Sequence, residues 1–254
     1  MYMKNLFLVC SMTLIIANLS AQKSGVIQFT EAIKLQMDVQ GVDAEMLKKM
    51  PQMHTITKTL VFTAKESVYK NVDKNADLEL KNESDNGSQF KMVVKTPEST
   101  LYNDLENKKM IHSQEFFGKQ FLIKGDIKKQ TWKIAGESKT LLDYVCQKAV
   151  LQDTSNAVIA WFTTKLPANL GPGNFSGLPG AILMVDMDNG ARVYTASKIE
   201  LRELKDGEIS IPTKGKEVTA EEFEKIKKEK MAEMGGTVGK GGNMRVVIRQ
   251  TEEH

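Results

Sequence analysis

The first sustained pattern along the chain is an alternation with a period of two. In VIQFTEAIKLQMD, residues 26 to 38, Ile27, Phe29, Ile33, Leu35 and Met37 fall on one side, and Gln28, Thr30, Lys34, Gln36 and Asp38 on the other. Successive side chains of a strand point to opposite faces, so this predicts a strand with one buried face, as antiparallel sheets use. From His54 to about Leu204 the alternation recurs in TITKTLVFTAKESVYKNV, SQFKMVVKT, STLYND, KMIHSQEFF, KQFLIKGD, TWKIAG and DYVCQKAVLQD. The clusters NESDNGS, TPES, IKGD and AGES read as turns between them. The expected fold is mainly β, a curved antiparallel meander sheet or half-barrel.

Two segments break the period. VDAEMLKKM, ahead of Pro51, predicts a short N-terminal helix. TAEEFEKIKKEKMAEM predicts a longer C-terminal one. There Thr219 and Glu222 have the spacing of a capping box, and Glu221 with Lys225 and Glu224 with Lys228 are candidate i,i+4 pairs. Its apolar stripe (Phe223, Ile226, Met234) is thin, which predicts a surface helix. GGTVGKGGN then reads as a flexible linker, and MRVVIRQ as either an added strand or a disordered end.

Residues 1–21 have a lysine near the start, an apolar run from Leu6 to Ile16 and the small pair Ser20-Ala21, the pattern of a secretory signal peptide. The expected organisation is a signal peptide over 1–21, one β domain over 22–204, and a C-terminal helix and flexible tail over 205–254. Removal of Cys10 with the leader leaves Cys146 alone, so stability is expected from a core rather than an internal disulfide. The 35 basic and 32 acidic residues are interspersed, which argues against a nucleic-acid partner.

The glycine-rich stretch GPGNFSGLPGAILMVDMDNG, residues 171 to 190, raises the question of a phosphate loop. Such a loop needs a helix after it to supply free N–H groups. Here an apolar strand pattern follows, then Asp188-Asn189-Gly190, a hairpin signal, then ARVYTASKIEL. Pro167, Pro172 and Pro179 suit an irregular connection. The stretch is expected to be an ordered loop between two strands, plugged onto the core by Phe175 and Leu178.

Trp161, Gly171-Pro172, Phe175 and Gly177-Leu178-Pro179-Gly180, with Ile182-Leu183 behind, together resemble the signature of the GLPGLI family. Trp132, Cys146, Lys148 and Ala149 resemble its second recurring feature, and Ser67 and Tyr69 the end of its N-terminal strand pair. The resemblance runs from about Val26 to Leu204, and Ala181 departs from the leucine of the motif. It implies an exported Bacteroidetes-type protein of periplasm or outer-membrane surface, often encoded beside TonB-dependent transporters. It also implies a curved antiparallel sheet similar to lipoprotein-carrier half-barrels.

Candidate chemistry is sparse. No histidine or cysteine spacing of a metal site is present, and no cofactor is expected. Asp186 and Asp188 share one face near the hairpin turn, as hard-cation ligands or as solvated charges. Cys146 is a nucleophile only if a base such as His112 meets it across the sheet; otherwise it is a small core residue. Ser176 lacks a nucleophile elbow. Trp132 and Trp161 are candidate ligand-lining residues or core residues. Two readings follow. The favoured one is a non-enzymatic binding or accessory protein with a concave sheet surface. Its partner would be an apolar or lipid-like ligand or an outer-membrane transporter component. The alternative is a hydrolase acting on envelope or extracellular substrate.

Overall fold

The computed structural model describes residues 24–35, 51–72, 77–83, 89–152 and 156–233. The strands are β1 (Gly25–Lys34), β2 (Met53–Phe62), β3 (Glu66–Asn71), β4 (Leu78–Glu83), β5 (Gln89–Val94), β6 (Ser99–Asp104) and β7 (Lys109–Phe116). They continue with β8 (Lys119–Asp126), β9 (Trp132–Leu141), β10 (Tyr144–Leu151), β11 (Val158–Thr163), β12 (Ala181–Met187), β13 (Arg192–Leu201) and β14 (Lys216–Thr219). One helix, α1 (Ala220–Glu233), is described. The fold is mainly β, as the alternation predicts.

Twelve of these strands form one sheet in the order β14-β8-β7-β6-β3-β2-β1-β13-β12-β11-β10-β9, while β4 and β5 pair apart from it as a hairpin. β1 lies in the middle, and the chain meanders outward through β8, then restarts at the far edge and meanders back to β13. Only residues 127–131 join β8 to β9, although nine strands lie between those two. Ten strand spacings at about 4.8 Å would separate them by ~48 Å in a flat sheet. The short connection reaches roughly 20 Å at full extension. The sheet therefore curls until its two halves face each other, and the concave face becomes the interior of a bowl.

The concave face carries the core. Ile27, Phe29, Leu60, Phe62, Tyr69, Leu101, Leu183 and Ala196 form one buried cluster, with Leu166 and Leu170 from the loop after β11. Ala149, Val158, Ala160, Phe162, Val185 and Tyr194 form a second, closed by Leu178 and Phe175 of the glycine-rich loop. On the other face Val61, Val68 and Tyr102 are covered by Leu204 and Ile209.

Three local expectations are corrected. IKGD and AGES lie inside β8 and β9, not in turns. The β9–β10 register shifts near that point, so the excess polar residues are absorbed by a bulge on an edge strand. β14 has no counterpart in the predicted pattern: four residues, KEVT, add to β8 in parallel. The predicted ion pairs of the C-terminal helix differ from those formed, which join Lys227 to Glu224, Lys225 to Glu229 and Lys230 to Glu233. Its capping box does form, with Glu222 N–H donating to Thr219 Oγ1 at 3.1 Å and Thr219 N–H to Glu222 Oε2 at 2.7 Å. The signal peptide, the short N-terminal helix and the segment from residue 234 onward lie outside the described residues.

Candidate functional site

The glycine-rich loop enters the bowl. Gly180 anchors its end: a Cβ there would sit 2.0 Å from the Thr163 carbonyl oxygen, so the loop can press onto β11 only without a side chain. Gly177 has φ +88°, a conformation that L side chains rarely adopt. Ile182 N–H donates to the Leu170 carbonyl at 2.8 Å, and Leu178 is 3% exposed. The tip is tied to the β8–β9 connection, where Ser176 N–H donates to Gln130 Oε1 at 2.9 Å and Trp132 Nε1–H to the Ser176 carbonyl at 2.8 Å. Phe175 packs between Trp132 and Tyr194, with ring centroids 6.4 and 6.0 Å away.

Helix α1 forms the opposite wall. Phe223 is buried against Phe121, Ile123 and Val218, which fastens the helix against β8 and the edge strand β14. Between loop and helix, over the floor of β6, β7 and β8, lies a cavity of about 690 Å³. Its lining joins amide side chains (Asn103, Gln114, Gln130, Asn169 and Asn174) to the ring of Phe175. A smaller chamber of about 300 Å³ shares His112, Gln114, Asn174 and Phe175 with it, so the two are adjacent.

The smaller chamber holds a charged group in an apolar register. Glu31, 3% exposed, occupies a position between Phe29 and Ile33 on the buried face of β1. Lys58 Nζ lies 2.9 Å from its Oε2 and Arg192 Nε 3.6 Å from its Oε1. Both cations are carried to it by neighbouring strands, β2 and β13. A carboxylate this enclosed is tolerable because it is paired. Lys58 Nζ also stands 5.6 Å from the centre of the Tyr69 ring. The Tyr69 hydroxyl is enclosed and has no hydrogen-bond partner in the structure. Burial, then the charge of Glu31, push the phenols of Tyr69 and Tyr194 far up, so both stay protonated donors.

His112 stands where the two spaces meet, its Nε2 2.9 Å from Ser99 Oγ. Burial, followed by Lys58 and Lys227, pushes its pKa down to about 4, which leaves the ring neutral near neutral pH.

The residues singled out in the sequence divide differently. Gly171, Phe175 and Ser176 line the larger cavity, and Phe175 both chambers. Trp132 braces the loop from behind. Trp161 lies outside both chamber linings and packs against the first core cluster, with Lys139 Nζ 4.3 Å from its ring centre. Cys146 is fully buried, and its thiol donates to the Tyr144 carbonyl at 3.5 Å. Burial pushes that thiol up, away from nucleophilic character. Its partner and that of His112 are thus different groups on different strands. Asp186 caps the hairpin turn, accepting from Gly190 N–H at 2.7 Å, and Asp188 accepts from Ala157 N–H, just ahead of β11, at 3.0 Å. Glu31, Lys58 and Arg192 were not predicted. A charged residue inside an otherwise apolar alternation was the available signal.

Residues 81–224, more than half the chain, match the family described as N-glycanase peptide, N-terminal domain. The chain belongs to that family. A search of curated proteins gives no significant match. Among solved structures, two crystal forms of PNGF-II share the fold at 15% identity. In the P21 form the TM-score is 0.53, with 80% of this chain and 33% of that chain covered; in the C2 form it is 0.52, with 80% and 32%. This chain therefore spans about a third of the length of those proteins. No helix among the described residues is long and apolar enough to cross a membrane.

Proposed function

We propose that this protein is an exported envelope protein that binds glycans without hydrolysing them, using the cavity between the glycine-rich loop and α1. The observation that carries this reading is the group of five amide side chains that share the cavity lining with Phe175, inside a rim of mixed charge. Sugar hydroxyls both donate and accept, and uncharged amide side chains do the same. An aromatic ring offers a flat apolar surface for the C–H face of a sugar. A volume of about 690 Å³ lies within the usual range for small-ligand sites. The word N-glycanase in the family description supports a glycan over the apolar or lipid-like ligand that the motif alone suggests. Membership of the GLPGLI group, export to the periplasm or cell surface, and an accessory role beside an outer-membrane transporter belong to the same proposal.

The test is isothermal titration of the intact protein with a neutral biantennary N-glycan, alongside mass spectrometry of the glycan after incubation. Binding with no change in glycan mass is the expected result, weakened at least tenfold by Gln114→Leu with Asn174→Leu. Absence of binding at millimolar glycan, or release of sugar, would sink the reading.

A further inference from the structure

Asp186 and Asp188 have no part in the glycan reading, yet they do more than end a hairpin. Between β12 and β13 the chain turns through Asp188, Asn189 and Gly190, with φ +51°, +54° and +89°. Asn189 is exposed, and the residue after it has no side chain. Asn-Gly suits such a turn, but in a loose chain the same pair is chemically unstable. The backbone nitrogen of Gly190 can lose its proton and attack Cγ of Asn189. A bond forms between these two atoms, the bond from Cγ to Nδ2 breaks, and ammonia leaves with the proton. Water then opens the resulting cyclic imide at either carbonyl, which gives aspartate or isoaspartate.

The structure opposes each stage of that attack. Gly190 N–H donates to Asp186 Oδ1 at 2.7 Å. A hydrogen bond to a carboxylate belongs to the stronger class, and the negative charge beside the nitrogen disfavours loss of its proton. The nitrogen must also turn onto Cγ before it can react, and a nitrogen whose N–H is fixed on Asp186 is not free to turn. The base of the turn is fastened independently. Asp188 N–H donates to the Ala157 carbonyl at 2.8 Å, and Ala157 N–H donates back to Asp188 Oδ1 at 3.0 Å. On the far side, Lys34 N–H of β1 donates to the Ala191 carbonyl at 2.9 Å.

From these observations we infer that Asn189 is a deamidation site held closed in the folded protein, and that Asp186 is the residue that protects it. The position matters to the cavity. β13 begins two residues beyond Gly190 and brings Arg192 to Glu31 and Tyr194 to Phe175. Isoaspartate carries an extra methylene in the backbone. Formed at Asn189, it would lengthen the turn ahead of β13 and disturb the register that places those two side chains. The Asp186 carboxylate thus preserves the chemistry of a turn on which one wall of the smaller chamber depends.

The experiment incubates the intact protein for several weeks at mildly alkaline pH, folded in one arm and unfolded in urea in the other. Peptide mass spectrometry then reads the amide-to-acid mass gain at Asn189. Asn86-Gly87, the same dipeptide elsewhere in the chain, calibrates the rate in urea. Conversion of Asn189 is expected to be at least tenfold slower in the folded parent than in urea. Asp186→Ala should recover most of that difference, while Asp186→Asn, which keeps an oxygen in reach of Gly190 N–H, should stay closer to the parent. Asp188→Ala loosens the base of the turn and leaves the Gly190 bond in place, so its acceleration should be smaller than that of Asp186→Ala. A folded parent that converts as fast as the unfolded chain would overturn the inference, as would an Asp186→Ala variant as slow as the parent. Equal acceleration by Asp186→Ala and Asp188→Ala would assign protection to the stiffness of the turn and overturn the role given to Asp186.

Discussion

The two walls of the cavity are built on different principles. The glycine-rich loop is welded to its surroundings. Gly180 lies against the β11 backbone, Leu178 is buried, and Ser176 is held from both sides by Gln130 and Trp132. Helix α1 is a solvent-facing element whose buried residue is Phe223 alone, with charged pairs along its exposed side. The loop owes its shape to sterics and backbone hydrogen bonds, the helix to one aromatic anchor and an N-cap. Substitutions in the loop should therefore disturb the whole bowl, whereas substitutions in the helix should disturb only the rim.

The largest expected effect is Gly180→Val. The new side chain meets the Thr163 carbonyl and Thr164 Cα, which are backbone atoms with little room to retreat. Overpacking against backbone costs typically up to about 3 kcal/mol and more where relaxation is blocked. The variant should lose soluble folded protein or melt far lower by circular dichroism, and a melting temperature within a few degrees of the parent would contradict the close approach. Phe223→Ala comes next. Truncating a buried phenylalanine costs about 3–5 kcal/mol in a closed core, and toward the low end beside solvent, where the site can collapse. Here the loss should be confined to the rim, so amide exchange should accelerate over 216–233 and leave the protection of β1 and β2 unchanged. Exchange that rises evenly through the sheet would show that the two walls are coupled.

The same contrast explains what could be read from the chain. The loop was legible because its constraints are local: prolines fix φ, glycines permit close approach, and Asp188-Asn189-Gly190 closes the next hairpin with positive φ at all three positions. The meander was legible because strand alternation has a period of two. β14 was not, since four residues carry too little alternation, and its partner β8 lies about ninety residues earlier. The ion pair at the chamber floor was hidden for a related reason. Glu31, Lys58 and Arg192 are far apart in sequence and meet only through the β2-β1-β13 order. Only the misfit of Glu31 between Phe29 and Ile33 hinted at it.

A smaller effect tests the floor between the walls through pH. Burial, with Lys58 and Lys227 adding to it, holds the His112 ring at a pKa of about 4, below the ordinary histidine value of 6.5. Between those values the unfolded chain therefore binds a proton that the folded protein refuses. Stability contributed by the neutral ring is present above about 6.5 and is lost as pH falls toward 4. Each pH unit in that window is worth about 1.4 kcal/mol, so the loss by pH 4.5 reaches roughly 2–3 kcal/mol. Urea melts at pH 7 and pH 4.5 should differ by less in His112→Gln than in the parent, and an unchanged difference would place the titrating group elsewhere.

The smallest effect belongs to Trp132, and it separates a brace from a ligand contact. Its indole N–H donates to the Ser176 carbonyl, and its ring packs against Phe175 without lining the larger cavity. Trp132→Phe keeps an aromatic ring against Phe175 and removes the donor. A neutral hydrogen bond contributes about 1 kcal/mol net, so stability should fall by roughly that amount. Glycan affinity should fall little, because the loop tip retains the bond from Ser176 N–H to Gln130. A drop of tenfold or more in affinity without loss of stability would instead make Trp132 part of the binding surface. The loop would then be held by Gln130 and the glycine contacts alone, and the sharp contrast between the two walls would narrow.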